Sequence, residues 1–205
     1  MSGNFVQRGD TAIAEKRIRT KMALQCGADL VLELPVLWSM STAENFALGA
    51  ISILKNMGCD KIMFGSECGD ISALIKAADV LLNDEFSKKL PLELKKGVTF
   101  AVAREIVASE LGCDGDILSK PNNNLAIEYI KAAKKIGAEL EFLTVKRIGA
   151  EHDSSEEAEF VSASLLREKL RLGDYAFCKK YMSRNALELL TPETVSDISR
   201  VDKVL

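Results

Sequence analysis

Three short apolar runs, "ADLVLELP" (28–35), "DKIMFG" (60–65) and "AELEFLTVKRIG" (138–149), are set apart by long stretches whose apolar residues recur every three or four positions. Strand-sized runs alternating with helical stretches leave few solutions: parallel strands joined by right-handed helical crossovers. The pattern predicts parallel strands near Leu30–Leu34, Lys61–Phe64 and Glu141–Val145. A sheet of three parallel strands is small and leaves open edges. The opening phrase "MSGNFVQRGD" is polar, glycine-containing and without strand or helix pattern. It reads as a loop that leaves a strand, so a further strand is expected immediately before Met1.

The helical stretches carry their own signals. Ala14, Ile18 and Met22 repeat every four residues and predict a helix over 11–26. "STAENFALGAISILKNMG" predicts a second, with Ser41 or Thr42 as N-cap and Gly58 at its stop. "DISALIKAADVLL" predicts a third, capped by Asp70. Helical pattern continues from about 84 to 112, returns in "SKPNNNLAIEYIKAAKKIG", and resumes from about Val161 to the end. The expected division is an α/β core over 1–160 and a helical extension over 161–205.

Composition narrows the chemistry. The 205 residues hold five cysteines, no C-x-x-C pair and one histidine, His152. Free thiols in a reducing cytoplasm fit this better than a zinc site, and no metal site is expected. No run approaches a membrane span. The net charge of −3 conceals basic clusters, one of them Arg8, Lys16, Arg17, Arg19 and Lys21. Such clusters either form solvated helix faces or meet a polyanion.

In open α/β sheets ligands bind beyond the carboxyl ends of the strands. The loop "FGSECGD" places Gly65 there, with Ser66 and Glu67 able to hydrogen-bond. "VKRIGAEHD" places Arg147 at a strand tip. Gly3, Asn4, Gln7 and Arg8 would join the same rim if a strand precedes Met1. "KPNNN" opens a helix with free N–H groups and side-chain amides, and "VSASLLR" opens another with Ser162, Ser164 and Arg167. Each has a plainer reading: Gly65 as a strand end, Asn122–Asn124, Ser162 and Ser164 as caps, Arg147 as the partner of a surface carboxylate, His152 as a polar loop residue.

The order and spacing of "MSGNFVQRGDTAIAEKRIRTKMALQCGADLVLELP", "FGSE", "KPNNNLAIEYIKA", "VKRIGAEHD" and "SASLLR" resemble the bacterial tRNA(Met) cytidine acetate ligase family, within the nucleotidyltransferase superfamily that carries a His-x-Gly-His signature. The resemblance runs from Met1 to about Arg171. It implies a Rossmann-like nucleotidyltransferase core whose first strand and signature loop are missing from this sequence, with a helical C-terminal part. It implies ATP as substrate, with Mg2+, and acetate activated to acetyl-adenylate. The acetyl group then passes to the wobble cytidine of elongator tRNA(Met), giving N(4)-acetylcytidine, in the cytoplasm. By motif, Gly65, Asn122, Asn123, Arg147, Ile148, Ser162, Ser164 and Arg167 resemble ATP-binding positions. Asn124 stands where relatives have an apolar residue and takes no role. Arg8, Lys16, Arg17, Arg19 and Lys21 become candidate tRNA contacts. The signature histidines are absent, so no catalytic residue is named and the chain is expected to be an inactive fragment. Two alternatives stay open: a small-molecule adenylyltransferase of the same superfamily, and a non-catalytic remnant that binds nucleotide or tRNA.

Overall fold

A computed structural model describes residues 1–7, 9–148 and 160–196. In chain order the elements are α1 (Lys16–Gln25), α2 (Val36–Ser39), α3 (Ala43–Asn56), β1 (Lys61–Ser66), α4 (Ile71–Leu82), α5 (Asp84–Leu94) and α6 (Phe100–Glu110). A 3-10 turn (Gly115–Ser119) then leads into α7 (Pro121–Ile136), β2 (Glu141–Lys146), α8 (Ala163–Arg171), α9 (Tyr175–Tyr181) and α10 (Arg184–Leu187). The described contacts gather into two units: Thr42–Ile148, and Met1–Ser41 with Gly149–Leu205.

In the central unit β1 and β2 pair in parallel, Lys61 opposite Glu141 through Ser66 opposite Lys146. Alternation decides which side chains turn inward. Ile62, Phe64 and Phe142 pack into cores built on Ala47, Ile51, Leu74, Ile127 and Ile130 from α3, α4 and α7. Met63 and Val145 point the other way and stay exposed. Local signals fix the helix ends. The Thr42 hydroxyl accepts from the Asn45 N–H at the start of α3, and the Asp70 carboxylate accepts from the Ser72 and Ala73 N–H groups at the start of α4. A carboxylate there also meets the positive end of the helix dipole.

The segment 30–34 departs from expectation. It makes one parallel bridge, between Ser2 and Leu34, and no ladder. The Leu34 N–H donates to the Met1 carbonyl at 2.8 Å, and the Met1 ammonium donates to the Leu32 carbonyl at 2.7 Å. The ladder goes no further beyond Leu34 because the chain turns into α2 at Val36, directly after Pro35. Arg19 donates to the carbonyls of both Ser2 and Gly3. Among the described residues the sheet has two strands, not three. The first helix also starts later than its apolar repeat suggests: residues 11–15 lie outside it, with isolated bridges from Thr11 to Phe5 and from Ala14 to Val195. Ala14 nevertheless joins Ile18, Met22, Leu170, Cys178 and Leu190 in the core of the second unit. All five cysteines are free.

Candidate nucleotide site

The carboxyl ends of β1 and β2 lie side by side. Gly65 pairs with Val145, and the Arg147 N–H donates to the Ser66 carbonyl at 2.9 Å. A Cβ built on Gly65 would meet the Arg147 Cγ at 3.4 Å. Gly65 and Arg147 are therefore neighbours at one sheet end, both exposed, with Ile148 exposed beyond them. The Arg147 Nη1 lies 3.5 Å from the Asn122 Oδ1, the outer limit of a hydrogen bond. Among the described residues its guanidinium has no carboxylate partner.

The loop after β1 is held from several sides. Ser66 is fully buried, its hydroxyl 2.7 Å from the Thr144 hydroxyl and accepting from the Gly69 N–H. Gly69 has φ +66° and backs against Lys146, whose Cβ would lie 2.6 Å from an added Cβ. The Glu67 carboxylate accepts from the Asn122 N–H (3.1 Å), the Asn122 Nδ2 (2.6 Å) and the Asn123 N–H (2.8 Å). In return the Asn123 Oδ1 accepts from the Glu67 and Cys68 N–H groups at 2.9 and 3.1 Å. Burial, the largest single influence, raises the Glu67 carboxyl pKa. The hydrogen bonds from Asn122, Asn123 and its own backbone together outweigh it and hold the group below its ordinary range.

This arrangement changes one expectation. The N–H groups at the start of α7 are not free for a phosphate, because Glu67 occupies them. A negative charge already sits at the positive end of that helix. The three asparagines also part company. Asn122 faces Arg147, while Asn123 is 2% exposed and its carbonyl serves the loop. The Asn124 Oδ1 accepts from Arg104 and its Nδ2 donates to the Leu118 carbonyl. Sequence reasoning noted Glu67 only as a polar residue near a strand end. Its one local signal is adjacency to Gly65, and its partners stand 55 and 56 positions away.

Ser162, Ser164 and Arg167 belong to the other unit. The Ser162 hydroxyl caps α8 by accepting from the Leu165 N–H, and the Ser164 hydroxyl accepts from Arg167 at 3.0 Å. Ser164 and Arg167 line a cleft of about 710 Å³ together with Gln7, Thr11 and Arg19. The opening phrase and "SASLLR" thus meet at one cleft. Of the basic residues at the start of the chain, Lys16 pairs with Glu33 at 2.7 Å. Arg19 is spent on the carbonyls of Ser2, Gly3 and Ala14. Arg17 and Lys21 lie one turn apart on α1 and are exposed. Arg8, His152 and the remainder of the "GAEHDSSEEAE" loop fall outside the described residues.

Residues 1–204 match the family model described as HIGH Nucleotidyl Transferase. A tRNA(Met) cytidine acetate ligase of Thermoanaerobacter sp. (strain X514) is 45% identical over 197 residues, which cover 93% of this chain and 49% of the relative. One from Clostridium perfringens (strain ATCC 13124) is 36% identical, covering 98% of this chain and 54% of its own length. The crystal structure of Thermotoga maritima TmcAL bound with alpha-thio ATP superposes with a TM-score of 0.83 at 35% identity, covering 99% of this chain and 48% of that one. The chain spans about half the length of the curated relatives it matches. With the sheet end built as described and the match running along nearly the whole sequence, this chain belongs to the HIGH nucleotidyl transferase family.

Proposed function

We propose that this chain is part of an ATP-dependent tRNA(Met) cytidine acetate ligase and that the end of its sheet binds ATP. The observation that carries the reading is the convergence of Gly65, Asn122 and Arg147 at the carboxyl ends of β1 and β2. A glycine leaves room for a ligand to approach the backbone, an exposed arginine with no carboxylate partner among the described residues offers charge, and an amide oxygen offers an acceptor. Relatives bearing the ligase name, and a neighbour bound with an ATP analogue, support the same reading. Ile148 adds an exposed apolar surface beside them. By motif, Ser162, Ser164 and Arg167 are also assigned to nucleotide binding. Asn123 contributes by holding the loop.

The reaction is two displacements. An acetate oxygen attacks the α-phosphorus of ATP, and the bond to pyrophosphate breaks, giving acetyl-adenylate. The cytidine N4 amine then attacks the acetyl carbonyl, AMP leaves, and the amine loses a proton. The first step needs positive charge and oriented donors around the phosphates more than a protein nucleophile. Mg2+ accompanies the ATP phosphates. Among the described residues no group of three or more His, Cys, Asp or Glu side chains could hold a metal. We assign tRNA contact to the basic opening segment, where Arg17 and Lys21 present their charges to solvent. Contacts of that kind go to phosphates and weaken with salt. No helix of the described residues is long and apolar enough to cross a membrane. A tRNA substrate favours a cytoplasmic location.

The test is calorimetry with ATP. Arg147→Ala should weaken binding by about 1.5–3 kcal/mol, the range for a hydrogen bond to a charged group. That is about 10- to 150-fold in Kd. Wild-type affinity in this variant would remove Arg147 from the site.

A further inference from the structure

We propose that Glu67 is a positioning residue of the nucleotide site: its carboxylate closes the start of α7 and fixes which atom of Asn122 faces Arg147. The inference rests on the ATP reading of that site and goes beyond it, since Glu67 need not touch the ligand.

The first residues of α7 lack a local cap. The N-cap position is Lys120, whose side chain makes no capping bond, and Pro121 follows at the first helical position. The Asn122 and Asn123 N–H groups would then be unsatisfied. Glu67 supplies both acceptors from a different element, one oxygen to each N–H. Its Oε1 also accepts from the Asn122 Nδ2 at 2.6 Å. A carboxylate can only accept, so the Asn122 NH2 must turn toward it and the Asn122 Oδ1 must turn away. That oxygen is the atom found 3.5 Å from Arg147. A carboxamide left to itself could present either end, and only the oxygen end complements a guanidinium or another group that can only donate.

The carboxylate is itself held. Asn123, almost fully buried, accepts from the Glu67 and Cys68 N–H groups, so loop and helix clasp each other reciprocally. Ser66 and Gly69 pin the same loop against β2. The hydrogen bonds that Glu67 accepts keep it ionised at neutral pH. The chain of cause therefore runs from a strand-end loop, through one carboxylate, to the orientation of a side chain in the site.

The test compares Glu67→Gln, Asn122→Ala, the double variant and Arg147→Ala in the 205-residue chain. Glutamine keeps the size and one acceptor oxygen, but sets an NH2 where a donor already points. In NMR spectra of the unmodified free protein, the Asn122 side-chain amide protons should be shifted and slow to exchange. In Glu67→Gln they should average with water while the β1 and β2 amides stay in place. ATP affinity should fall by up to about fivefold in Glu67→Gln, no more than in Asn122→Ala, and the double variant should be no weaker than Asn122→Ala alone. A residue of merely structural importance would instead add its effect to that of Asn122→Ala. Full affinity in Glu67→Gln, alongside loss in Arg147→Ala, would overturn the positioning role and leave the site standing. Full affinity in Arg147→Ala, or no ATP-dependent change at millimolar nucleotide, would overturn the site and the positioning role together. A solvent-averaged Asn122 amide in the unmodified protein would overturn the positioning role by itself.

Discussion

Two glycines flank the candidate site, and the structure assigns them opposite costs. Gly69 adopts φ +66°, and a Cβ there would sit 2.6 Å from the Lys146 Cβ and 3.2 Å from its Cα. The obstacle is backbone and the root of a side chain, so β2 or the loop must move. The left-handed conformation costs alanine about 1–2 kcal/mol. Forcing atoms into a packed joint adds about 1–3 kcal/mol. Gly69→Ala should therefore destabilise the central unit by about 2–5 kcal/mol, a large part of the total for a domain of this size. Gly65 needs no positive φ, and its nearest neighbour would be the Arg147 Cγ at 3.4 Å, an exposed side chain that can swing aside. Gly65→Ala should cost less than about 1 kcal/mol, because a reduced unfolded-state entropy offsets the crowding. It should still weaken ATP binding, since the new methyl occupies the approach to the strand end. Urea unfolding by far-UV circular dichroism, with hydrogen exchange along β1, β2 and α7, measures both. Tryptophan fluorescence would not, because the single tryptophan, Trp38, belongs to the other unit. Equal stability of Gly69→Ala and the parent, or equal damage at both positions, would refute the reasoning.

Other outcomes follow from single contacts. Glu44 is held below its ordinary carboxylate range chiefly by the hydrogen bond from Lys135 at 2.5 Å, against a smaller opposing effect of burial. A depressed folded-state pKa stabilises above the ordinary carboxylate range, about 4.3 for glutamate, and that contribution is lost as pH falls through the folded value. Both side chains are about half exposed, so the pair is worth less than about 1 kcal/mol. Lys135→Ala should remove that amount at neutral pH and flatten the acid limb of a stability–pH curve. Thiol labelling should mark exposed Cys26 first. Cys113 and Cys178 should label only on opening, because both are buried and burial raises their thiol pKa values. Labelling of Cys178 at the rate of Cys26 in folded protein would contradict the core around Ala14 and Leu170.

What was legible in the sequence is what local chemistry decides. The ends of α3 and α4 could be read because Thr42 and Asp70 stand beside the N–H groups they cap. β1 and β2 could be read because each is a short apolar run, and their side-by-side carboxyl ends followed from the parallel rule. The segment 30–34 looked equally like a strand. It makes a single bridge, to Ser2, because whether an apolar run pairs depends on a partner distant in sequence that no local pattern marks. The start of α7 was misread for the same reason. Its capping carboxylate is Glu67, and nothing near Pro121 announces it. Basic residues show the limit most plainly. Lys16, Arg17, Arg19 and Lys21 read as one cluster, yet Arg19 and Lys16 serve the fold while Arg17 and Lys21 face solvent.

The run Asn122–Asn123–Asn124 extends this point to a prediction. Successive helix positions are rotated by about 100°, so three identical side chains meet three environments. Asn123→Ala would strip the acceptor from two loop N–H groups in a position that is 2% exposed. An unsatisfied buried donor costs about 1–3 kcal/mol, so two of them should cost about 2–4 kcal/mol after local relaxation. Asn124→Ala removes bonds to Arg104 and the Leu118 carbonyl, but Arg104 keeps Glu128 at 3.4 Å. Alanine also gains about 0.5 kcal/mol in helix propensity, leaving a net loss of about 1 kcal/mol or less. Asn122→Ala leaves the backbone N–H on Glu67 intact, so the helix stays capped and stability should change least. Its loss should appear in ATP affinity instead, about 1 kcal/mol for a neutral amide contact. Urea unfolding and calorimetry on the three variants separate these outcomes. If Asn122→Ala destabilises as much as Asn123→Ala, the carboxamide of residue 122 is part of the scaffold, and its assignment to the ligand fails.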